Sequence, residues 1–524
     1  MKILVLSLLR IGDVIQQRPL LQELRRQNPG ARIDLLVNRS SMPVIEVVQD
    51  VDNWIFFERD EFQQKVGIAE IPILAPVHEL ALFIERLSEE KYDLILNFTH
   101  NRLSAYLAEA ISAREKRGLV AEGPQFRAFE NDWIRHLNQR AQSAEGTPFQ
   151  FAELLAGAFG LHVQPTAAES KGKTVLLQPL TSDAKKNWSL VHWAALLENL
   201  RTRFFDYDFK VLGAPSDGAL LARHFSFEDL ALEGFAEVQE MMAKSALLIT
   251  GDTSIKHIAV ARGVPVLEIS LGSSNPQRTG AYATNAFILQ ARVPCAPCAH
   301  SDRCRKISHE CGEALSLQDV ENVAVSLLTD QQPESVRAPV QLWGTQATMG
   351  EWTIGSSRAE HFEAALNRKM WRYFLDGLSF ESNLQGLTDS SIDGEFLRLA
   401  LKNFSNDCEE LEGIARKIVG QLDQVAKQCL EDGFAVQSLS PFRQSLSSLQ
   451  FSRSSQRAQM FDLVELGQRP FAHPLAFFGA VQKSLADLGI RLRLAKQMIE
   501  IISAQGGVYE RTSGVPSDRS PEAP

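Results

Sequence analysis

A chain of 524 residues is too long for one hydrophobic core, and its length implies about two to four domains. With 44% hydrophobic and 23% charged residues the composition is globular, and a net charge of −10 argues against a general nucleic-acid binder. No apolar run reaches the roughly 18 to 20 residues of a membrane span, and Met1-Lys-Ile-Leu-Val-Leu-Ser-Leu-Leu-Arg10 lacks the length and the small-residue cleavage site of a signal peptide, so a cytoplasmic protein is expected.

Ile3 to Leu9 is a continuous apolar run, the pattern of a strand covered on both faces in a parallel α/β sheet. It leads into Arg10-Ile-Gly-Asp13, and Pro19 suits the first turn of a helix whose apolar face is Leu20, Leu21 and Leu24. Residues 10 to 18 are therefore expected as a loop at the carboxyl end of the first strand, where open α/β sheets build their ligand crevice. Further strands are expected at Ile33 to Val37, Trp54 to Phe57 and Tyr92 to Phe98, with helices at about Val77 to Glu90 and Arg102 to Ala113. Asn97 to Asn101, with Thr99 and His100, forms a polar cluster at a strand end that reads as a helix cap.

After a helix near Phe149 to Phe159, Val163 to Lys173 loses all periodicity and marks a linker between a first domain, 1–165, and a second, 166–335. The second series has strands at Thr174 to Gln178, Phe209 to Leu212, Leu247 to Thr250 and Val264 to Ser270. Helices near Leu190 to Arg201, Gly218 to His224 and Glu237 to Lys244 lie between them, and one from Leu317 to Leu328 closes the domain. Its most informative stretch runs from Leu247 to Ser270 as buried strand, polar loop, helix and second buried strand. Asp252, Thr253 and Ser254 are good N-cap types, and a helix N-terminus offers free N–H groups and partial positive charge to an anion. Lys256 and His257 add a cation and a polar head in the first turn, and Gly263 and Pro265 stop the helix.

Four of the six cysteines fall at Cys295, Cys298, Cys304 and Cys311, with His300 and His309 between them. In a reducing compartment that spacing suits tetrahedral thiolate coordination of a structural zinc or iron ion more than disulfides; reduced free thiols are the plain alternative. Beyond a polar connector at Thr329 to Pro339 the strands are expected to disappear. Helices near Ser357 to Leu375, Gly394 to Glu431, Pro441 to Leu466 and Leu475 to Ala504 then make a helical extension over 340–505. Leu397, Leu401, Phe404, Cys408, Leu411, Ile414, Ile418, Leu422, Val425 and Cys429 recur at helical spacing, as in a bundle or a homo-oligomerising hairpin. Arg453, Arg457, Arg491, Arg493 and Lys496 read as solvated helix charges or as a surface for peripheral contact with the inner membrane. Residues 506–524 are polar and rich in Ser, Pro and Gly, and are expected to be disordered.

Read together, four ordered segments resemble family 9 glycosyltransferases, the heptosyltransferases of bacterial lipopolysaccharide core assembly. They are Leu9-Arg-Ile-Gly-Asp13 with Pro19 and Leu20, Thr181-Ser-Asp-Ala-Lys-Lys-Asn-Trp188, Asp252-Thr-Ser-Ile-Lys-His-Ile-Ala259 and Gly272-Ser-Ser-Asn-Pro-Gln-Arg-Thr-Gly-Ala-Tyr282. The resemblance covers roughly residues 1 to 330. It implies two Rossmann-like domains facing a cleft, the GT-B arrangement, followed by the all-α extension. The implied activity is inverting transfer of a heptose from a nucleoside diphosphate, ADP-heptose above all, to a hydroxyl of a lipopolysaccharide-core or similar glycan acceptor. Transfer onto protein, or a catalytically degenerate chain acting through its helical part, are the alternatives.

The resemblance assigns roles residue by residue. Asp13 is the implied base for the acceptor hydroxyl, its other reading being a helix N-cap; the glycine before it would let the backbone turn tightly. Lys186 is the implied phosphate cation, with Lys185 as a substitute and Thr181 and Ser182 as hydroxyl donors. Trp188 reads as packing. Asp252 is implied to bind sugar hydroxyls, and Thr253, Ser254 and His257 the phosphate side. Ser254 stands where the family has glycine and Lys256 is unusual, so Lys256 is expected to supply attraction for phosphate that Ser254 loosens. Asp217 is open between a ribose ligand and a helix cap. No metal is implied for catalysis. Some relatives carry a four-cysteine iron site with wider spacing, which implies a structural metal without choosing zinc or iron.

Overall fold

A computed structural model of the chain describes all residues except 68–73, 124, 128–131, 141–146, 170–171, 300, 305, 307, 349, 377–393, 433–439, 450–473 and 513–524. The chain forms two compact units. The first comprises Met1–Ala141, Phe149–Ala347 and Ile354–Ser356, the second Gln142–Pro148, Thr348–Thr353 and Ser357–Pro524.

The first unit holds two α/β halves. In the first, β1 (Lys2–Ser7), β2 (Arg32–Asn38), β3 (Asn53–Phe57), β4 (Tyr92–Asn97) and β5 (Ala113–Gly118) form an all-parallel sheet in the order β3-β2-β1-β4-β5. Ile3 to Leu6 and Leu35 to Val37 have no exposed surface, as the apolar runs predict for strands covered on both faces. The strand order reverses beside β1, so the segment leaving β1 lies at a topological switch point. That segment is not the expected loop. Ile11–Gln16 is a short helix, α1, continued after one residue by α2, Arg18–Gln27, with Pro19 in its first turn. Val14, Ile15 and Gln16 are buried, and this packing decides for helix where the sequence pattern was too short to show one. The strand β5 was also not expected. Its sequence, Ala-Arg-Glu-Lys-Arg-Gly, is that of a mostly exposed edge strand with no apolar pattern to betray it.

At the end of β4 the cap reading of the polar cluster holds. Asn101 accepts the Ser104 N–H at 2.9 Å, and the Thr99 hydroxyl accepts the Leu8 N–H at 2.8 Å, tying the ends of β1 and β4 together.

The second half contains β6 (Thr174–Gln178), β7 (Asp208–Leu212), β8 (Leu230–Ala231), β9 (Ser245–Gly251), β10 (Val266–Ser270), β11 (Phe287–Ala291) and β12 (Val340–Thr348) in the order β8-β7-β6-β9-β10-β11-β12, and a further strand, β13 (Glu351–Gly355), is divided between the two units. Neighbours from β8 to β11 are parallel, and β12 runs antiparallel to β11. The strands β12 and β13 correct the expectation that strands end at the connector: β12 covers the edge that β11 would otherwise leave open. Trp188 is the packing residue expected, 2% exposed, edge-on to Trp193 and donating its indole N–H to the Leu315 carbonyl at 3.1 Å. Between β9 and β10 runs α3, Ser254–Arg262, which ends at Gly263 in the left-handed region (φ 69°, ψ 33°).

The two halves are joined by polar contacts at buried or half-buried positions. Arg18 donates to the Ala261 carbonyl at the end of α3 at 2.8 Å, Gln239 to the Glu46 carbonyl at 2.6 Å, and Gln150 to the Gly280 carbonyl at 3.3 Å.

The second unit is largely helical. Its described helices are α4 (Arg358–Asp376), α5 (Gly394–Asp432), α6 (Ser440–Ser447) and α7 (Pro474–Thr512). Cys408, Leu411, Ile418 and Leu422 of the expected stripe are buried. Of the cations considered for a membrane surface, Arg491 is instead buried, its guanidinium 4.5 Å above the Trp371 ring, and Lys496 pairs with Glu412 at 2.6 Å. Arg493 is exposed. Arg453 and Arg457 lie outside the described residues, as do most of the expected helix from Pro441 to Leu466 and, of the expected disordered tail, residues 513–524; residues 506–512 belong to α7. No helix among the described residues is long and apolar enough to cross a membrane.

The turn after α3 allows a direct test. A Cβ in the left-handed region costs about 1–2 kcal/mol, so Gly263→Ala is expected to lower the thermal midpoint of the full chain by a few degrees, read by differential scanning calorimetry. An unchanged midpoint would show that the backbone there relaxes without cost.

Candidate functional site

The carboxyl ends of β1, β6, β9 and β10 bring the expected residues together. Helix α1 lies against the first turn of α3: a Cβ built on Gly12 would stand 3.6 Å from Ser254 Cα and 3.7 Å from His257 Cδ2. Gly12 is helical, so the expected role of a tight turn before Asp13 is replaced by a helix whose first turn carries the carboxylate. Asp13 is held above the ordinary aspartate range by burial, which the nearby positive charges of Arg278 and Arg10 only partly offset. Burial lowers the Arg278 guanidinium and the Asp13 charge counteracts it. The short helix Pro276–Thr279, after the turn at Gly272, carries Arg278.

Thr253 is the N-cap of α3, its hydroxyl accepting the Ile255 N–H at 3.2 Å, and Ser254 is the first helical residue. Asp252, one residue before the cap, binds two ammonium groups. Lys186 Nζ lies 2.8 Å from Oδ2 and Lys256 Nζ 2.8 Å from Oδ1. Lys256 Nζ also lies 3.0 Å from Oε2 of Glu268, a residue of β10. A line of alternating charge, Lys186–Asp252–Lys256–Glu268, thus runs inward. The outer pair keep 14% and 11% of their side-chain exposure and the inner pair keep none.

Electrostatics follow from that burial. For Asp252 desolvation opposes charge, but the two ammonium groups outweigh it and hold the carboxyl far below the aspartate range. Burial disfavours the Lys256 charge, and Asp252 and Glu268 more than restore it. Glu268 is pushed up by burial, which Lys256 offsets incompletely. His257, buried beside the Lys256 charge, is lowered to about 3 and is therefore a neutral imidazole at physiological pH. It can act as a hydrogen-bonding head but not as a cation.

The remaining expected residues are placed as follows. Lys256, expected to add attraction for phosphate, is instead enclosed in the core and spent on two carboxylates. Lys185 is not a substitute for Lys186: it is buried and donates to the carbonyls of Ala299 and Asp302 at 3.1 and 2.6 Å, which braces the cysteine-bearing loop. Thr181 uses its hydroxyl within its own turn, donating to the Asp183 carbonyl at 2.8 Å, while Ser182 is exposed. Asp217 makes no side-chain cap on the helix that follows, Gly218–Leu221; its carboxylate accepts the Ala214 N–H at 2.9 Å within its own turn, Pro215–Asp217. The turn at Gly272 (φ 61°) presses on this site, since a Cβ there would meet the Lys185 carbonyl oxygen at 2.4 Å.

The four cysteines sit in different environments. Cys295 and Cys304 are exposed, while Cys311 is buried with its sulfur 3.2 Å from His309 Nε2, itself 2.9 Å from the Lys185 carbonyl. Among the described residues no group of three or more His, Cys, Asp or Glu is arranged to hold a metal ion; His300 lies outside them. Cys311 is anchored in the core by the helix Glu310–Ala314, while Cys295 and Cys304 lie on the surface.

Two residues of the site were missed in the sequence. Arg278 stood inside a quoted motif without a role. Glu268 had a legible signal: a lone acid in the otherwise apolar run Val264-Pro-Val-Leu-Glu-Ile, one strand on from an unusual lysine. Removing one member of a buried ion pair costs about 3–5 kcal/mol. Lys256→Met alone is thus expected to lower the chain's denaturation midpoint substantially, and Lys256→Met combined with Glu268→Gln to recover part of the loss. Equal midpoints for the two variants would contradict the pairing.

Residues 80–307 match the sequence model of Glycosyltransferase family 9 (heptosyltransferase). The chain is 24% identical over 343 residues to lipopolysaccharide heptosyltransferase 1 of Pseudomonas aeruginosa, an alignment covering 57% of this chain and 86% of that protein. It is 23% identical over 313 residues to lipopolysaccharide heptosyltransferase 1 of Escherichia coli K12, covering 56% and 94%. A family 9 glycosyltransferase structure from Veillonella parvula aligns with 63% of this chain and 98% of its own, at 18% identity and a TM-score of 0.49. The family match takes in parts of both α/β halves. Over residues 80–307 the chain is thus similar to glycosyltransferase family 9, the heptosyltransferase family.

Proposed function

We propose that the protein transfers a heptose from ADP-heptose to a hydroxyl of a lipopolysaccharide-core acceptor, with inversion at the anomeric carbon. The observation that carries this reading is the apposition of α1 and α3, which sets the half-buried Asp13 of one α/β half against the N-terminus of a nine-residue helix in the other. The names of the relatives, lipopolysaccharide heptosyltransferases, supply the sugar and the acceptor class.

The chemistry asks for a base and for stabilisation of a leaving diphosphate. Asp13 takes the acceptor proton as the hydroxyl oxygen bonds to the anomeric carbon. Its raised affinity for protons, caused by burial, brings it nearer to neutral pH than an exposed aspartate. The bond from that carbon to the diphosphate breaks, the electron pair leaving with the phosphate oxygen. Lys186 and the free N–H groups at the start of α3 receive the growing charge, with neutral His257 as an added hydrogen-bonding group. Asp252 holds hydroxyls of the sugar.

Incubation with ADP-heptose and a lipid-A-core acceptor is expected to release ADP; no turnover with any nucleotide sugar would refute the proposal. Asp13→Ala is expected to lower kcat by ~10²–10⁴-fold with ADP binding nearly unchanged, whereas a comparable loss of ADP affinity would place Asp13 in the binding set. The acidic limb of the pH profile reports the same group. Activity requires the carboxylate, so it falls as pH drops through the raised value of Asp13, and the limb should lie above the ordinary aspartate range. Because the Arg278 charge lowers that value, Arg278→Gln should move the limb to higher pH; a shift the other way would exclude Asp13 as the titrating base.

A further inference from the structure

Outside the groups assigned above, the inner half of the charged line has no role in transfer: Lys256 and Glu268 have no exposed surface and cannot touch a ligand. Their arrangement nevertheless bears on one that can. The Asp252 carboxylate is shared, Oδ2 with Lys186 and Oδ1 with Lys256, both at 2.8 Å. An arriving diphosphate must take Lys186 from Asp252. If Lys186 were the only partner of that buried carboxylate, its departure would leave an uncompensated negative charge beside an incoming anion, which is costly twice over. Lys256 removes both costs. It stays on Oδ1 when Lys186 leaves, and it cannot itself follow the ligand because it is enclosed and held from behind by Glu268 at 3.0 Å. Glu268 in turn keeps the ammonium charged in a place where burial alone would discharge it.

We infer that Lys256 and Glu268 are positioning residues of the donor site: a fixed internal counter-ion for Asp252 that releases Lys186 to the nucleoside diphosphate. The inference rests on the reading that Lys186 meets the donor phosphates. It makes the unusual lysine a device for donor affinity without any direct contact to donor.

Calorimetric titration of the full chain with ADP, which lacks the sugar that Asp252 would hold, separates the possibilities. Wild type is expected to bind and Lys186→Met to lose at least tenfold in affinity; absence of either result overturns the phosphate reading and this inference with it. With those in hand, Lys256→Met/Glu268→Gln, which removes both inner charges together, is expected to bind ADP on the order of tenfold more weakly, because Lys186 is now the sole partner of Asp252. Adding Asp252→Asn to that pair abolishes the trap and should restore most of the affinity. A purely structural role predicts no such rescue, so wild-type binding by the double variant, or weak binding that Asp252→Asn leaves unrelieved, overturns the inference while leaving the phosphate reading intact. Should the double variant not fold, Lys256→Gln/Glu268→Gln carries the same comparison. Asp252→Asn alone, which keeps the inner pair, must bind ADP at least as tightly as wild type, and a marked loss would also overturn it.

Discussion

The enclosure of Lys256 between Asp252 and Glu268 is the constraint on which the site depends. An ammonium without solvent is tolerated only if carboxylates surround it, and two of them do so from successive elements of the same crossover: the loop after β9 and the strand β10. That requirement fixes where Asp252 points and how much negative charge it retains. Through Asp252 it also fixes the resting place of Lys186. This charged line is thereby set from within the core, with Lys186 its outermost cation.

The other half of the site is set by helix packing. Asp13 would be an ordinary first-turn acid if α1 faced solvent. Pressed against Ser254 and His257 by way of Gly12, it lies in a partly desolvated place between Arg278 and Asp252, where its proton affinity rises. His257 is altered in the opposite sense by the same enclosure, since burial and the Lys256 charge both oppose an imidazolium. Two titratable groups on helices in contact are thus shifted in opposite senses, Asp13 toward greater proton affinity and His257 toward a neutral imidazole.

The cysteine run shows the limit of spacing arguments. Four cysteines within 17 residues suggest a common ligand, yet spacing says nothing about which of them the core will claim. Here Cys311 is drawn inward with its helix and engaged by His309, while Cys295 and Cys304 stay at the surface. The loop they sit on is braced by another device, the buried Lys185 ammonium on the carbonyls of Ala299 and Asp302. A lysine that the local motif offered as an alternative phosphate ligand thus serves as a strut.

What the sequence by itself determined is the set of elements with a strong period and clear stops. β6 and the closing helix Leu317–Leu328 were legible to the residue, and so was the stop at Gly263, because a buried apolar strand, a capped amphipathic helix and a left-handed glycine are local properties. The ordered motifs also sufficed to point to the family whose model matches residues 80–307. Only the tertiary structure decided the rest. Strands such as β5 and β12 owe their form to a neighbour's open hydrogen bonds and carry little pattern of their own. The roles of Lys185, Lys256 and Asp217 depended on which donors and acceptors stood within 3 Å or so of their heads, and a linear reading contains no such distances. Charge in a protein interior is a property of the surroundings, and the surroundings of Lys256 come together only when β9, α3 and β10 are packed.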